Sequence, residues 1–135
     1  MADKLNVTFT KEELFGRLIY KADEPLDVGV STDTYTTVAL PVPKEVYPSL
    51  IYLNNDTNDA AGVGATNLVR IQGSIDGTNW VTWKHAAYVR VGNGTAAVIN
   101  TSETDGHYPY CRVWISLGTA VTSGAKVYPH ILIKP

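Results

Sequence analysis

The sequence predicts an all-β fold, an antiparallel β-sandwich of about eight or nine short strands with a jelly-roll-like arrangement. Three observations predict it. Valine, isoleucine and threonine make up 38 of the 135 residues, and their branched side chains favour strands over helices. Eleven glycines and seven prolines interrupt the chain at short intervals, as short strands require. Beyond residue 25, no segment between these interruptions shows helical periodicity.

The charged residues divide the chain into two regions. Residues 1–27 carry ten of the 24 charged side chains, and the remainder is rich in threonine, asparagine and glycine. We therefore expect an N-terminal arm over residues 1–25 and the sandwich over residues 26–135.

The single cysteine, Cys111, excludes an intramolecular disulfide, and no apolar run approaches the roughly 20 residues of a membrane span.

The N-terminal arm is predicted to contain a short helix. Thr10 and Glu13 have the spacing of a capping box, in which each side chain bonds the other residue's backbone amide. Four apolar residues then recur on one helical face: Leu14, Phe15, Leu18 and Ile19. This stripe packs either on the protein's own sandwich or on a neighbouring subunit, and a strand over the same residues is the third alternative. In the first two cases the helix ends near Ala22, and Gly16 weakens it.

Nine strands are predicted in the sandwich region. They are Leu26–Val30, Tyr35–Leu40, Leu50–Asn54, Asn67–Gly73, Asn79–Lys84, Ala87–Val91, Thr95–Asn100, Tyr110–Gly118 and Lys126–Lys134. Their lengths are typical of strands in globular proteins. Pro129 predicts an edge position or a bulge for the last strand, because proline has no N–H to donate to a ladder.

The eighth predicted strand has one clearly apolar face. Successive side chains of a strand point to opposite faces, which puts four apolar residues on the same side: Cys111, Val113, Ile115 and Leu117. We expect this side to face the core. Cys111 is then a buried, inert thiol among aliphatic side chains.

The segment from Gly73 to Trp80 predicts a β-hairpin. It reads Gly-Ser-Ile-Asp-Gly-Thr-Asn-Trp, and Asp-Gly between two extended runs is a strong hairpin signal. This pattern resembles the Gly-Ser-x-Asp-Gly-x-x-Trp hairpin of discoidin-like jelly-roll sandwiches. The later run from Tyr110 to Val113 is similar to the Tyr-x-Arg-aliphatic strand of the same domains. The resemblance covers residues 68–118 and implies a sandwich fold without implying an active site.

The chain as a whole resembles small virion proteins of tailed bacteriophages, which share this hairpin and have no disulfides or signal peptides. A charged arm ahead of a polar sandwich is similar to capsid decoration, or cement, proteins. The resemblance implies binding to the major capsid protein, self-association as a trimer or dimer, and a location on the capsid surface after synthesis in the bacterial cytoplasm. It assigns the contacts to the arm residues Leu14, Phe15, Leu18 and Ile19.

Carbohydrate binding, by a phage tail module or another adhesion protein, is the alternative function. Sugar rings stack on exposed aromatic side chains, and the chain offers the candidates Trp80, Trp83, Tyr108, Tyr110 and Trp114, with Asp105 and His107 nearby as polar partners. Strand alternation puts Trp80 and Trp83 on opposite faces, so these two do not form one continuous platform without a bulge.

Catalytic and cofactor motifs were not found in the sequence, and we predict neither an enzyme nor a bound cofactor. His107 precedes Cys111 by four residues with Pro109 between them, a spacing that does not make a catalytic dyad on a strand. Residues 54–59 are rich in oxygen ligands and could hold calcium, but a polar connection is the alternative that we favour. The formal net charge of −2 argues against nucleic-acid binding through bulk charge.

Overall fold

The structure is a computed structural model, and it describes residues 4–28, 34–54, 60–61, 68–86, 90–91, 96–116 and 125–133. These residues form fourteen strands and a 3-10 helix at Glu103–Asp105. The strands are β1 (Lys4–Val7), β2 (Phe9–Leu14), β3 (Arg17–Ala22), β4 (Leu26–Val28), β5 (Thr34–Thr37), β6 (Leu40–Pro41), β7 (Ser49–Asn54), β8 (Ala60–Ala61), β9 (Leu68–Ser74), β10 (Val81–Ala86), β11 (Arg90–Val91), β12 (Ala96–Asn100), β13 (Tyr110–Ser116) and β14 (Ala125–Ile133).

Two six-stranded sheets make up the sandwich. Sheet A has the order β1-β5-β13-β9-β10, with β6 also paired to β13. Sheet B has the order β12-β7-β14-β3-β2, with β4 also paired to β14, and β8 pairs with β11 separately. The pairing of β1 with β5 is parallel, whereas the other strand pairs of both sheets are antiparallel. The predicted all-β sandwich is confirmed.

The hydrophobic core combines apolar residues from both sheets. Its fully buried members from sheet A include Tyr35, Ile71, Val113 and Ile115, and those from sheet B include Leu50, Ile131 and Ile133. Tyr35 is held at its polar end, where its hydroxyl donates to the carbonyl of Glu24 at 2.6 Å. Burial raises the pKa of this phenol, because an ionised oxygen would lose its hydration there.

Strand β13 lies at the centre of sheet A with the predicted orientation. Cys111, Val113 and Ile115 are fully buried, whereas Leu117 lies outside the described residues. Burial raises the pKa of the Cys111 thiol to about 12, because desolvation disfavours the thiolate. Cys111 is therefore a core residue without the thiolate character of a reactive cysteine.

The predicted hairpin around Asp76 is present as the connection from β9 to β10. Residues 75–80 form its loop, which is longer than a two-residue turn, and Gly77 has a φ of 78°. The amides of Thr78 and Asn79 both donate to Asp76 Oδ1 at 2.8 Å, and Asn79 Nδ2 donates to Oδ2 at 2.7 Å. These hydrogen bonds hold the pKa of the Asp76 carboxyl far below its ordinary value of 3.8, since they favour the ionised form.

Replacement of Asp76 should give a pH-dependent loss of stability. A carboxyl whose pKa is lower in the folded protein stabilises the fold above its unfolded pKa and loses this contribution as the pH falls. The Asp76→Asn variant should therefore be less stable than wild type at pH 7, and the difference should shrink below about pH 4. Urea unfolding between pH 7 and 2 measures it, with the exposed Glu45→Gln as the control. A difference independent of pH would contradict the proposed role of the carboxylate.

The predicted N-terminal helix is wrong, because the same residues form a β-hairpin. Strands β2 and β3 pair antiparallel from Phe9↔Ala22 to Leu14↔Arg17, and Phe15 and Gly16 form the two-residue turn with φ of 50° and 77°. The Thr10 hydroxyl donates to Asp23 instead of capping a helix. The helical spacing of the apolar residues does not determine the structure here, because β3 forms backbone hydrogen bonds with β14 along its second edge.

The strands of the predicted arm are integrated into both sheets. Strand β1 pairs with β5 in sheet A, and β3 pairs with β14 in sheet B. Val7 and Ala22 are buried in the core cluster. The division of the chain at residue 25 stays a prediction, but residues 4–22 supply strands of the sandwich.

Pro129 does not lie on an edge strand. It pairs with Tyr52 of β7 inside sheet B, at the point where the other neighbour of β14 changes from β4 to β3. The ladder on that edge is interrupted there, so a residue without an N–H is accommodated.

The oxygen-rich residues 55–59 lie outside the described part of the chain. No helix among the described residues has the length and hydropathy needed to cross a membrane.

Candidate binding surfaces

The four predicted contact residues of the arm do not share one face. Leu18 packs against the core, opposite the buried Ile133 of β14. Ile19 follows it on β3 and faces the other side of sheet B, where it is half-buried. The side chain of Leu14 lies outside the described parts. Phe15 alone among the described three is completely exposed, at 100 %.

The turn that carries Phe15 is energetically unfavourable by itself. A positive φ at both central residues is the geometry of a type I′ hairpin turn, which favours asparagine followed by glycine. A phenylalanine in this region costs about 1–2 kcal/mol. The chain therefore holds a large apolar side chain in a strained backbone and in full contact with water, a combination that has no benefit for the isolated fold.

The hairpin beneath Phe15 is held by several side-chain contacts. Lys21 Nζ lies 2.5 Å from Glu12 Oε2 across the two strands. Thr8 and Thr10 both donate hydroxyl hydrogen bonds to Asp23, and these bonds lower the pKa of that carboxyl. We call β2, the Phe15-Gly16 turn and β3 the Phe15 hairpin. These contacts hold the end of the hairpin that is remote from Phe15, and the β2–β3 ladder extends from there to the Leu14↔Arg17 pair beside the turn.

The aromatic residues predicted to bind sugar do not lie on one surface of the structure. Trp83 is buried in the core and donates its indole N–H to the carbonyl of Gly106 at 3.2 Å. Tyr108 packs against it edge-to-face, with ring centroids 5.1 Å apart. Trp80 and Tyr110 are half-buried. The predicted separation of Trp80 from Trp83 is confirmed, and Trp83 has no role in a surface platform.

The outer side of sheet A forms a second candidate surface. Opposite the core-facing residues lie Trp80, which directly precedes β10, and eight residues of β9, β10 and β13: Arg70, Gln72, Ser74, Thr82, His85, Tyr110, Arg112 and Trp114. Gln72 and Ser74 are buried beneath the longer side chains. The Arg70 guanidinium lies 4.6 Å from the ring centroid of Trp114, and that of Arg112 lies 4.4 Å from Trp80. We call this set the arginine–tryptophan face. Arg70 and Arg112 were not predicted as site residues. Their alternation with core residues along β9 and β13 would have indicated that they lie on the outer side of the sheet.

A cleft lies beside the Asp76 loop. It has a volume of about 340 Å³ and is lined by Ser74, Ile75, Asp76, Asn79, Val81 and Tyr108. Ile75 and Val81 are 78 % and 48 % exposed. The lining has one carboxylate, that of Asp76, and its Oδ1 already accepts hydrogen bonds from the amides of Thr78 and Asn79. A ligand in this cleft would therefore be held mainly by apolar contacts.

The predicted absence of a His107–Cys111 dyad agrees with the geometry. His107 Nε2 lies 2.8 Å from the carbonyl oxygen of Pro43, and its ring contacts those of Tyr47 and Trp83, while Cys111 is fully buried. Among the described residues, no group of three histidine, cysteine or acidic side chains is placed to hold a metal ion. The prediction that the protein is not an enzyme stays a prediction.

Comparison with solved structures gives distant similarity only. No family model and no curated protein matches the chain. Among solved structures, the chain is similar to one titled "CBM4 structure and function", with a TM-score of 0.43 and 12 % sequence identity. The match covers 93 % of this chain and 74 % of that chain.

Proposed function

We propose that the protein is a capsid decoration protein of a tailed bacteriophage, which binds the outer surface of the head through the Phe15 hairpin. The observation that carries the proposal is the fully exposed Phe15 in a turn with positive φ. Burying such a side chain in a partner contributes about 1.5–3 kcal/mol. The resemblance of the Gly73–Trp80 hairpin to those of phage structural proteins supports a virion protein, and the charged N-terminal segment ahead of a polar sandwich supports the major capsid protein as the proposed partner.

Decoration acts through mass action. A protein that binds the assembled shell and not its separated subunits lowers the free energy of the assembled state. Since shells present repeated sites around symmetry axes, we propose that the protein binds as a closed dimer or trimer. Its location is then the capsid surface.

The test replaces Phe15 without disturbing its turn. Phe15→Asn supplies the residue that type I′ turns favour, so the variant should be at least as stable as wild type. Undecorated heads of the phage that encodes the chain are mixed with each protein and sedimented through a glycerol gradient. Wild type should sediment with the heads, and Phe15→Asn should bind at least tenfold more weakly.

The matched control is Ile75→Asn, which removes an exposed apolar side chain from a different loop. It should bind heads as wild type does. Full occupancy of heads by Phe15→Asn would contradict the role of the Phe15 hairpin. Wild type that stays at the top of the gradient would overturn the decoration proposal itself.

A second candidate function is carbohydrate binding by the arginine–tryptophan face. It is favoured by one observation, the half-burial of Trp80 and Trp114 on the solvent side of a sheet. Aromatic rings so placed present partly exposed apolar surface of the kind on which sugar rings stack.

A further inference from the structure

The arginine–tryptophan face is organised in rows across three strands. Trp114 lies opposite Arg70, and Arg112 lies opposite Gln72. On the other side of β9, Thr82 lies opposite Gln72, and Trp80 is the last loop residue before β10, with its ring against the Arg112 guanidinium. Neighbouring strands are about 4.8 Å apart, so Trp80 and Trp114 are separated by about 10 Å across the sheet. They are also offset by about four residues, or about 13 Å, along β9. This extent suits an extended ligand better than a single ion.

Both guanidinium groups of this face are held in place by their neighbours. Arg112 Nε donates to Gln72 Oε1 at 2.7 Å, and the guanidinium reaches across Gln72 to the ring of Trp80. Arg70 reaches in the opposite direction to Trp114. Stacking on an aromatic ring fixes the plane of a guanidinium, so its donors keep a fixed orientation before a ligand binds.

The two arginines have no carboxylate partner among the described residues. The ion pairs Lys21–Glu12 and Lys84–Asp105 of the described parts both lie outside the face. The Nε atom of Arg70 is buried without a hydrogen-bond partner. Half-buried guanidinium groups without an acidic partner are unusual, because most buried charges are paired.

We propose that the arginine–tryptophan face binds an acidic oligosaccharide, a chain of sugars that carry carboxylates. A carboxylate accepts two parallel hydrogen bonds from a guanidinium, and the C–H faces of the sugar rings pack against the aromatic side chains. Arg112 and Arg70 bind the carboxylates, while Trp80, Trp114 and Tyr110 contact the rings. This proposal rests on the second candidate function and adds its ligand class and its residues.

Calorimetric titration of the full-length protein with three probes tests the proposal. They are oligogalacturonate, the neutral cellohexaose, and poly-L-glutamate of matched charge. Oligogalacturonate should bind saturably and at least tenfold more tightly than either of the others. The Arg112→Gln variant should lose at least tenfold in affinity, whereas Arg17→Gln, which removes an exposed arginine of β3, should bind as wild type does.

The other outcomes separate the parts of the proposal. Equal binding of cellohexaose would overturn the acidic specificity while leaving carbohydrate binding in place, and no binding of either sugar would overturn both. Equal binding of poly-L-glutamate would overturn the sugar in favour of an acidic polypeptide. The probe comparison on wild type decides these cases even where Arg112→Gln fails to fold, and Arg70→Gln then serves as the second variant.

Discussion

A chain that lacks residues 1–22 should not fold. The deletion removes β1, β2 and β3, and with β3 it removes the ladder from His130↔Lys21 to Ile133↔Leu18. It also uncovers the core where Val7 and Ala22 are buried. Since a domain is stable by only about 5–15 kcal/mol, the loss of three strands exceeds what the remaining contacts can offset. Circular dichroism should show no cooperative thermal transition, and amide resonances should collapse to the narrow dispersion of an unfolded chain.

The control for the deletion is the full-length Phe15→Asn variant, which changes the same segment and keeps its strands. It should melt cooperatively. A truncated chain with native-like dispersion and a cooperative transition would show that residues 1–22 form a separable arm, as the charge distribution predicts. The deletion is consequently unsuited to testing capsid binding, because lost binding would follow from unfolding.

The second large effect is expected for Gly73→Ala in strand β9. A Cβ atom at this position would lie 2.5 Å from both Cγ and Cδ2 of the Tyr108 ring. The backbone cannot retreat, since Gly73 is paired with Val81 on one side and Cys111 on the other. Tyr108 must move away from the core and from Trp83. Overpacking of this kind costs about 1–3 kcal/mol, or about 4–12 °C in Tm.

A double-mutant cycle isolates this clash. In the Tyr108→Ala background the ring is absent, so Gly73→Ala should cost less than half of its value in wild type. The intrinsic preference of alanine over glycine in a strand acts in the opposite direction, so the substitution can even become neutral there. Additive costs in the two backgrounds would show that the close approach of Gly73 to Tyr108 does not limit the substitution.

The central strands could be predicted from the sequence because their patterns are local. The alternation in the eighth predicted strand places Cys111, Val113 and Ile115 in the core, and the structure has all three fully buried. The Asp76-Gly77 pair marks a hairpin connection because its hydrogen bonds join residues within three positions of each other. The nine predicted strands all overlap strands of the structure, whereas β1 and the short β8 were missed and β2 and β3 lie where a helix was predicted.

The N-terminal hairpin could not be predicted from local periodicity. The spacing of Leu14, Phe15, Leu18 and Ile19 fits one helical face, yet β14 offers a strand edge that satisfies the backbone of β3. A short helix is marginal alone in water, so a long-range ladder outweighs it. The signal that favoured the hairpin was Gly16, whose positive φ a turn requires and a helix does not use.

The sequence by itself determined the fold class, because the share of β-branched residues and the spacing of glycine and proline are properties of composition. It also determined the core-facing side of β13, because that follows from alternation within one strand. The tertiary structure alone decided that Phe15 lies exposed at a hairpin tip and that Arg70 and Arg112 stack on tryptophans. Arg112 and Trp80 are 32 positions apart, and their contact depends on the register of β13, β9 and β10. That register is set by pairing across the whole sheet, which no local pattern of residues specifies.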